Sequence, residues 1–132
     1  MMITKGIQIT VFVKNQEKAK KFYVEKLGFV VCEEEKLAPG WSYLTVAPQK
    51  ENEMKLELFQ AETPEQKQLI GKQAANQVLV MFATDNIELD YHEMKARGVV
   101  FHGEVKTVPG GRGVGFEDLD GNQFDLYQSN QS

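Results

Sequence analysis

The sequence is poor in the features that most directly announce a function. Of its 132 residues a single one is cysteine, Cys32, which excludes an intrachain disulfide and any multi-cysteine zinc site. Cys32 ends a strand-like run, Phe29-Val30-Val31-Cys32, where a small buried or half-buried residue is expected. Basic charge is not in excess. The 15 Lys and Arg against 19 Asp and Glu leave a net charge of -4, the opposite of the basic stripe that nucleic acid requires. No apolar run approaches the length of a membrane span, and no signal-peptide pattern precedes Gly6, so a cytoplasmic protein away from membranes is expected. What remains suits one compact folding unit. With 42% hydrophobic residues and eight Phe the chain can build a core, and the 26% of charged residues is ordinary for a folded domain.

What the sequence does have is a repeat. The stretch 8–28 overlays the stretch 78–98 without a gap, setting Ile9 on Leu79, Val11 on Met81, Phe12 on Phe82, Asn15 on Asp85 and Gly28 on Gly98. Further on, Leu56-Glu57-Leu58-Phe59-Gln60 matches Phe124-Asp125-Leu126-Tyr127-Gln128. Two copies are too few for a solenoid, so two similar modules paired about a pseudo-twofold axis are expected.

Within the first copy, Ile7, Ile9, Val11 and Val13 alternate with Gln8, Thr10 and Phe12, the period of a two-faced strand. Asn15 offers a helix N-cap, Ala19, Phe22, Tyr23 and Leu27 form an apolar helical stripe, and Gly28 ends it. Strands are predicted over 29–34, 41–47 and 54–60, with a turn at Pro39-Gly40. The second copy follows the same order. It has a strand over 77–83, a capping box of Asp85 and Glu88, a helix with Ile87, Tyr91 and Met94 on one face, and a stop at Gly98. Strands over 99–105, 113–117 and 123–127 complete it. Modules of about 1–60 and 77–128 are thus joined by a linker over 61–76, expected to be a short helix or loop, and the whole is expected to act as a single domain.

Each module therefore has the order β-α-β-β-β, and the chain resembles the vicinal oxygen chelate superfamily of glyoxalase I, bleomycin-resistance proteins and extradiol dioxygenases. The residues that carry the resemblance are Ile9 to Val13, Lys20-Lys21-Phe22-Tyr23, Lys26-Leu27-Gly28-Phe29, Leu56-Glu57-Leu58, Ala96-Arg97-Gly98-Val99 and Phe116-Glu117-Asp118-Leu119-Asp120-Gly121-Asn122. They span essentially the whole chain and are specific for the superfamily, not for one activity within it. The resemblance implies an α+β fold in which the two modules form a curved mixed sheet, a half-barrel with a central pocket. It also implies a homodimer with a small-molecule ligand.

Strand alternation sets Gln8, Glu57 and Asp125 on the sheet face away from the helices. These are also three of the positions where the family places metal ligands. The fourth falls on Val78 in the gapless register, or on Leu79 after a slip of one residue, and neither binds a metal. The set offers only oxygen, which suits Mg, Mn or Ca rather than zinc, nickel or iron. A divalent metal or none at all are both open. The two-His-one-carboxylate face of an extradiol dioxygenase is not assembled. Without a metal, Glu57 and Asp125 are candidate acid–base groups. The plainer alternative for such residues is the solvated face of a half-exposed sheet.

Phe12, Trp41, Tyr43 and Phe59 are candidates for an apolar wall against a small ligand, or else for core or dimer interface. His102, at the repeat position of Cys32, either reaches into the pocket or lies at its rim, while His92 on the helix is structural or exposed. Pro109-Gly110-Gly111-Arg112-Gly113 lacks the Lys-Ser/Thr ending of a phosphate loop and is expected to be a flexible hairpin, with Arg112 available to an anion at the pocket mouth. Asp118-Leu119-Asp120-Gly121-Asn122 lacks the later Glu of a calcium loop and is expected to be a turn. Two functions follow from the resemblance. One is a glyoxalase-like lyase or isomerase acting on a substrate with vicinal oxygens. The other is a non-catalytic protein that binds an antibiotic or toxin.

Overall fold

The computed structural model describes residues 2–130, so Met1, Gln131 and Ser132 lie outside it. The described residues divide after Ile70 into two compact units. The first contains β1 (Gln8–Val13), α1 (Gln16–Glu25), β2 (Val30–Ala38), β3 (Trp41–Ala47), β4 (Lys55–Gln60) and the short α2 (Pro64–Leu69). The second contains β5 (Val80–Ala83), α3 (Ile87–Ala96), β6 (Val100–Val108), β7 (Gly111–Glu117) and β8 (Gln123–Ser129). Each unit is an open four-stranded mixed sheet, ordered β1-β4-β3-β2 in one and β5-β8-β7-β6 in the other. This is the expected α+β fold of tandem β-α-β-β-β modules. Among the described residues no helix is long and apolar enough to cross a membrane.

The first and last strands of each unit pair in parallel, and parallel neighbours require a crossover, here a helix against one face of the sheet. In the first unit Val11, Val13, Leu56 and Leu58 are buried with Ala19 and Tyr23 of α1. In the second, Val114, Phe116, Phe124 and Leu126 are buried with Ile87, Tyr91 and Met94 of α3. Each such large side chain contributes roughly 1.5–3 kcal/mol on burial. The alternation therefore leaves Gln8, Glu57 and Asp125 on the face turned away from the helices, as the strand pattern requires.

The repeat is not gapless. Asn15 caps α1 by accepting from Lys18 N, and the residue that caps α3 is Asn86, accepting from Leu89 N at 3.1 Å. The expected capping box of Asp85 and Glu88 is not made. The register explains the shift: Thr10 lies beside Glu57 in the parallel ladder, whereas Met81 lies beside Asp125. Gln8 therefore corresponds to Leu79, the slipped alternative, and Asn15 to Asn86. The missing residue falls at the helix exit. After α1, Lys26 and Leu27 precede Gly28 (φ 74), but after α3 only Arg97 precedes Gly98 (φ 97). Strands β2 and β6 run further than predicted, and β5 starts later, at Val80.

One buried polar side chain separates the units. Gln16 of α1 donates from Nε2 to the carbonyls of Ser42 (2.7 Å) and Leu58 (2.9 Å), and its Oε1 accepts from Ser42 N at 3.1 Å. It serves there because the β3–β4 ladder pairs only Thr45 with Glu57 and Val46 with Leu56, leaving the rest of those strands apart. The β7–β8 ladder runs unbroken from Gly111–Ser129 to Glu117–Gln123, and the matching helix position is Ile87.

Two stability measurements test these assignments in urea. Asn86→Ala is expected to cost about 1 kcal/mol and Asp85→Ala less than about 0.5; the reverse ranking would return the cap to Asp85. Gln16→Leu strands three backbone groups and is expected to cost roughly 3 kcal/mol. A loss below about 1 kcal/mol would mean that the amide does not hold the gap.

Candidate functional site

In the first unit the structure brings Gln8 and Glu57 together, with Gln8 Nε2 donating to Glu57 Oε1 at 3.1 Å. Tyr43, from β3, donates through its hydroxyl to Gln8 Oε1 in a short hydrogen bond. Thr10, the parallel neighbour of Glu57, also hydrogen-bonds to its carboxylate. Burial raises the Glu57 carboxyl above its ordinary value, and the Thr10 bond only partly offsets this. Glu33 of β2 joins from the other side, accepting from Thr45 Oγ1 at 3.2 Å. The Tyr43 phenol is raised by burial first, then by the negative charges of Glu33 and Glu57. Beside this network, Phe59 stacks edge-on against both Phe12 (6.0 Å) and Trp41 (6.5 Å), so these three form one half-buried aromatic group.

In the second unit Asp125 lies across β7 at the position of Gly115. Burial raises its carboxyl, and His102, when protonated, pulls it back down. His102 in turn holds Glu117 Oε2 through Nε2 at 2.8 Å. A cavity of about 340 Å³ opens beside these groups, lined among others by Met81, His102, Gly113, Gly115, Asp125 and Tyr127. Arg112 points elsewhere: its guanidinium is paired with Glu88 of α3, on the helix side of the sheet. His92 is exposed on α3 with its ring against Tyr91, and Cys32 is a half-exposed free thiol. The turn at 118–122 is locked internally, since Asp118 Oδ1 accepts from the amides of Asp120 and Asn122, each at 2.9 Å.

The donors of the first unit do not fit a divalent ion as they stand. A cation would need Gln8 Oε1, which already accepts from Tyr43, and it would have to sit beside the Gln8 amide hydrogens now turned toward Glu57. Residue Leu79, at the position matching Gln8, supplies no ligand atom. Among the described residues no three His, Cys, Asp or Glu side chains form a metal-binding group. Among the partners of these groups, Tyr43 and His102 were site candidates by sequence, whereas Glu33 and Glu117 went unread. Glu33 reaches its group because β2 neighbours β3, and Glu117 reaches His102 because β6 neighbours β7, pairings that no local signal marks.

A sequence profile of the Glyoxalase/Bleomycin resistance protein/Dioxygenase superfamily matches residues 7–126, and the chain belongs to that superfamily. It is 34% identical over 116 residues to the uncharacterized protein YetH of Bacillus subtilis (strain 168), covering 88% of this chain and 91% of YetH. Among solved structures, UcmS2 matches with a TM-score of 0.83 at 28% identity, over 96% of this chain and 98% of that one. TnmS3, an antibiotic binding protein from Streptomyces sp. CB03234, matches with a TM-score of 0.79 at 32% identity, over 98% and 99% of the two chains.

Both raised carboxyls make a pH prediction. In the window above the ordinary values of 4.5 for Glu57 and 3.8 for Asp125, the folded state holds more protons than the unfolded chain. Their contribution is thus present at low pH and is lost as pH rises through the raised values. Glu57→Gln is expected to raise the thermal midpoint over wild type at about pH 7 but not at about pH 3.5. An equal change at both would show that the carboxyl is not held toward its protonated form.

Proposed function

We propose that this protein binds a small, largely apolar organic molecule and does not transform it, as a sequestering or resistance protein does. The observation that carries this reading is the cavity of about 340 Å³ on β6, β7 and β8, which falls within the range of small-ligand pockets. Its lining mixes apolar side chains with a few convergent polar groups, Asp125 and His102 foremost. Support also comes from the 32% identity to an antibiotic binding protein over nearly the full length of both chains. The poor fit of Gln8 and Glu57 to a divalent ion points the same way, since chelation is the chemistry that a metal-assisted lyase would need.

A second reading rests on a specific feature. Glu57, with its carboxyl raised by burial and ordered by Gln8 and Thr10, has the character of a general acid–base group in a lyase or isomerase. Tag-free protein decides between the two. On the binding reading, elemental analysis finds no stoichiometric metal, and an aromatic antibiotic at a hundredfold excess over Kd stabilises the fold by about 2.7 kcal/mol, a rise of roughly 5–10 °C in Tm, with or without EDTA. Turnover of methylglyoxal with a thiol that collapses in Glu57→Ala would replace the binding reading with the enzymatic one.

A further inference from the structure

The cavity of the second unit exists because β7 carries glycine at three of the four positions on one face, 111, 113 and 115, with Glu117 at the fourth. Its sequence, Gly-Arg-Gly-Val-Gly-Phe-Glu, alternates glycine with the residues that face α3. Register shows the contrast with the first unit. Thr45 of β3 lies opposite Glu57, and Gly115 of β7 lies opposite Asp125. Where β3 presents Trp41, Tyr43 and Thr45, β7 therefore presents Gly111, Gly113 and Gly115. Gly111 is needed by the backbone, because a Cβ there would fall 2.0 Å from the Gln128 carbonyl oxygen. Gly113 is not so constrained: its Cβ would meet nothing closer than 3.4 Å. The glycine at 113 thus answers to open space rather than to packing. Strand β6 adds to that space, since its pairing with β7 skips between His102 and Lys106, an irregularity of the kind that re-aims side chains beside sites.

Polar chemistry is concentrated at one side of this floor. A carboxylate only accepts hydrogen bonds, so the bond from His102 Nε2 to Glu117 fixes the ring hydrogen on Nε2. In the neutral ring, Nδ1 is then an acceptor. It lies 3.3 Å from where a Cβ on residue 115 would stand, with Asp125 Oδ1 at 3.5 Å from the same point. The cavity thus places two acceptors together over a strip of bare peptide, a surface that a flat ring can approach more closely than any side chain would allow. Met81, Val108 and Tyr127 supply apolar surface around it.

We infer that the ligand of this cavity is a flat ring system bearing a hydroxyl group, with the ring laid on the peptide planes of Gly113 to Gly115 and the hydroxyl donating its one hydrogen to His102 Nδ1, beside Asp125. This rests on the binding reading above and names its ligand class. Glu117 is a positioning residue, acting through the tautomer of His102.

Calorimetric titration with 2-naphthol and with 2-methoxynaphthalene, which differ in the donor, tests it. Wild type is expected to bind 2-naphthol about tenfold more tightly. That preference should fall below about twofold in His102→Phe, and in His102→Leu, both tolerable at an exposed position. Gly113→Val should weaken both compounds at least about tenfold while circular dichroism stays native, because a Cβ there meets the Leu126 carbonyl oxygen only at ordinary contact, 3.4 Å, and the side chain takes up cavity space. Equal binding of the two naphthalenes by wild type, or a preference that survives His102→Phe, overturns the hydroxyl assignment and leaves the binding reading standing. Failure of wild type to bind either compound, or binding untouched by Gly113→Val, overturns both.

Discussion

In each unit the chain must leave the first strand, cross as a helix and return to pair alongside that same strand in parallel, and the rest of the arrangement depends on this closure. A glutamine at the end of the last strand secures it. Gln60 Oε1 accepts from Gln16 N at 2.9 Å, and Gln128 Oε1 accepts from Ile87 N at 2.8 Å, so each last strand holds the first turn of its own helix. The bond supplies a partner to an amide that a helix N-terminus would otherwise leave unmet. It also fixes the parallel register, which is what sets Thr10 beside Glu57 and Met81 beside Asp125. Position on the sheet face follows from closure at the helix, one layer away.

A shared scaffold with two differently furnished faces is what duplication followed by divergence produces. The helix-facing positions of both units stay apolar: Leu44 and Val46 of β3 are matched by Val114 and Phe116 of β7, all buried. The opposite face is free of that constraint and has gone two ways. In the first unit it is filled by aromatic rings and a hydrogen-bonded group around Glu57; in the second it is stripped to glycine. Membership of the superfamily describes the first layer and says little about the second, and function resides in the second.

The same division explains what could be read from the sequence. Strand alternation and helical stripes are signals of burial, so the order of elements and the faces of Gln8, Glu57 and Asp125 were legible. Local spacing was less so. Asp85 and Asn86 are both good caps by type, and only the strand register, which places Met81 beside Asp125, selects Asn86. The glycines at 110–113 read as a flexible hairpin because composition cannot tell a mobile loop from a strand emptied for space. Pro109-Gly110 is indeed the turn, but Gly111 to Glu117 is regular strand. Gln16, which no sequence signal singled out, is buried where β3 and β4 part locally, and that parting has no sequence signature.

The polar group in the first unit shows how hydrogen bonding competes with metal ligation. Metal ligands must present lone pairs to a common point, and each lone pair used in a protein hydrogen bond is withdrawn from that point. Here the Gln8 carbonyl oxygen takes the Tyr43 hydroxyl, and the Gln8 amide and Thr10 hydroxyl are spent on Glu57. Burial raises the Glu57 carboxyl, and the neutral donors turned toward it only partly offset the cost of holding its charge there. Rearranging this network for an ion is costly, because the freed Tyr43 hydroxyl and Gln8 amide would each need a new partner.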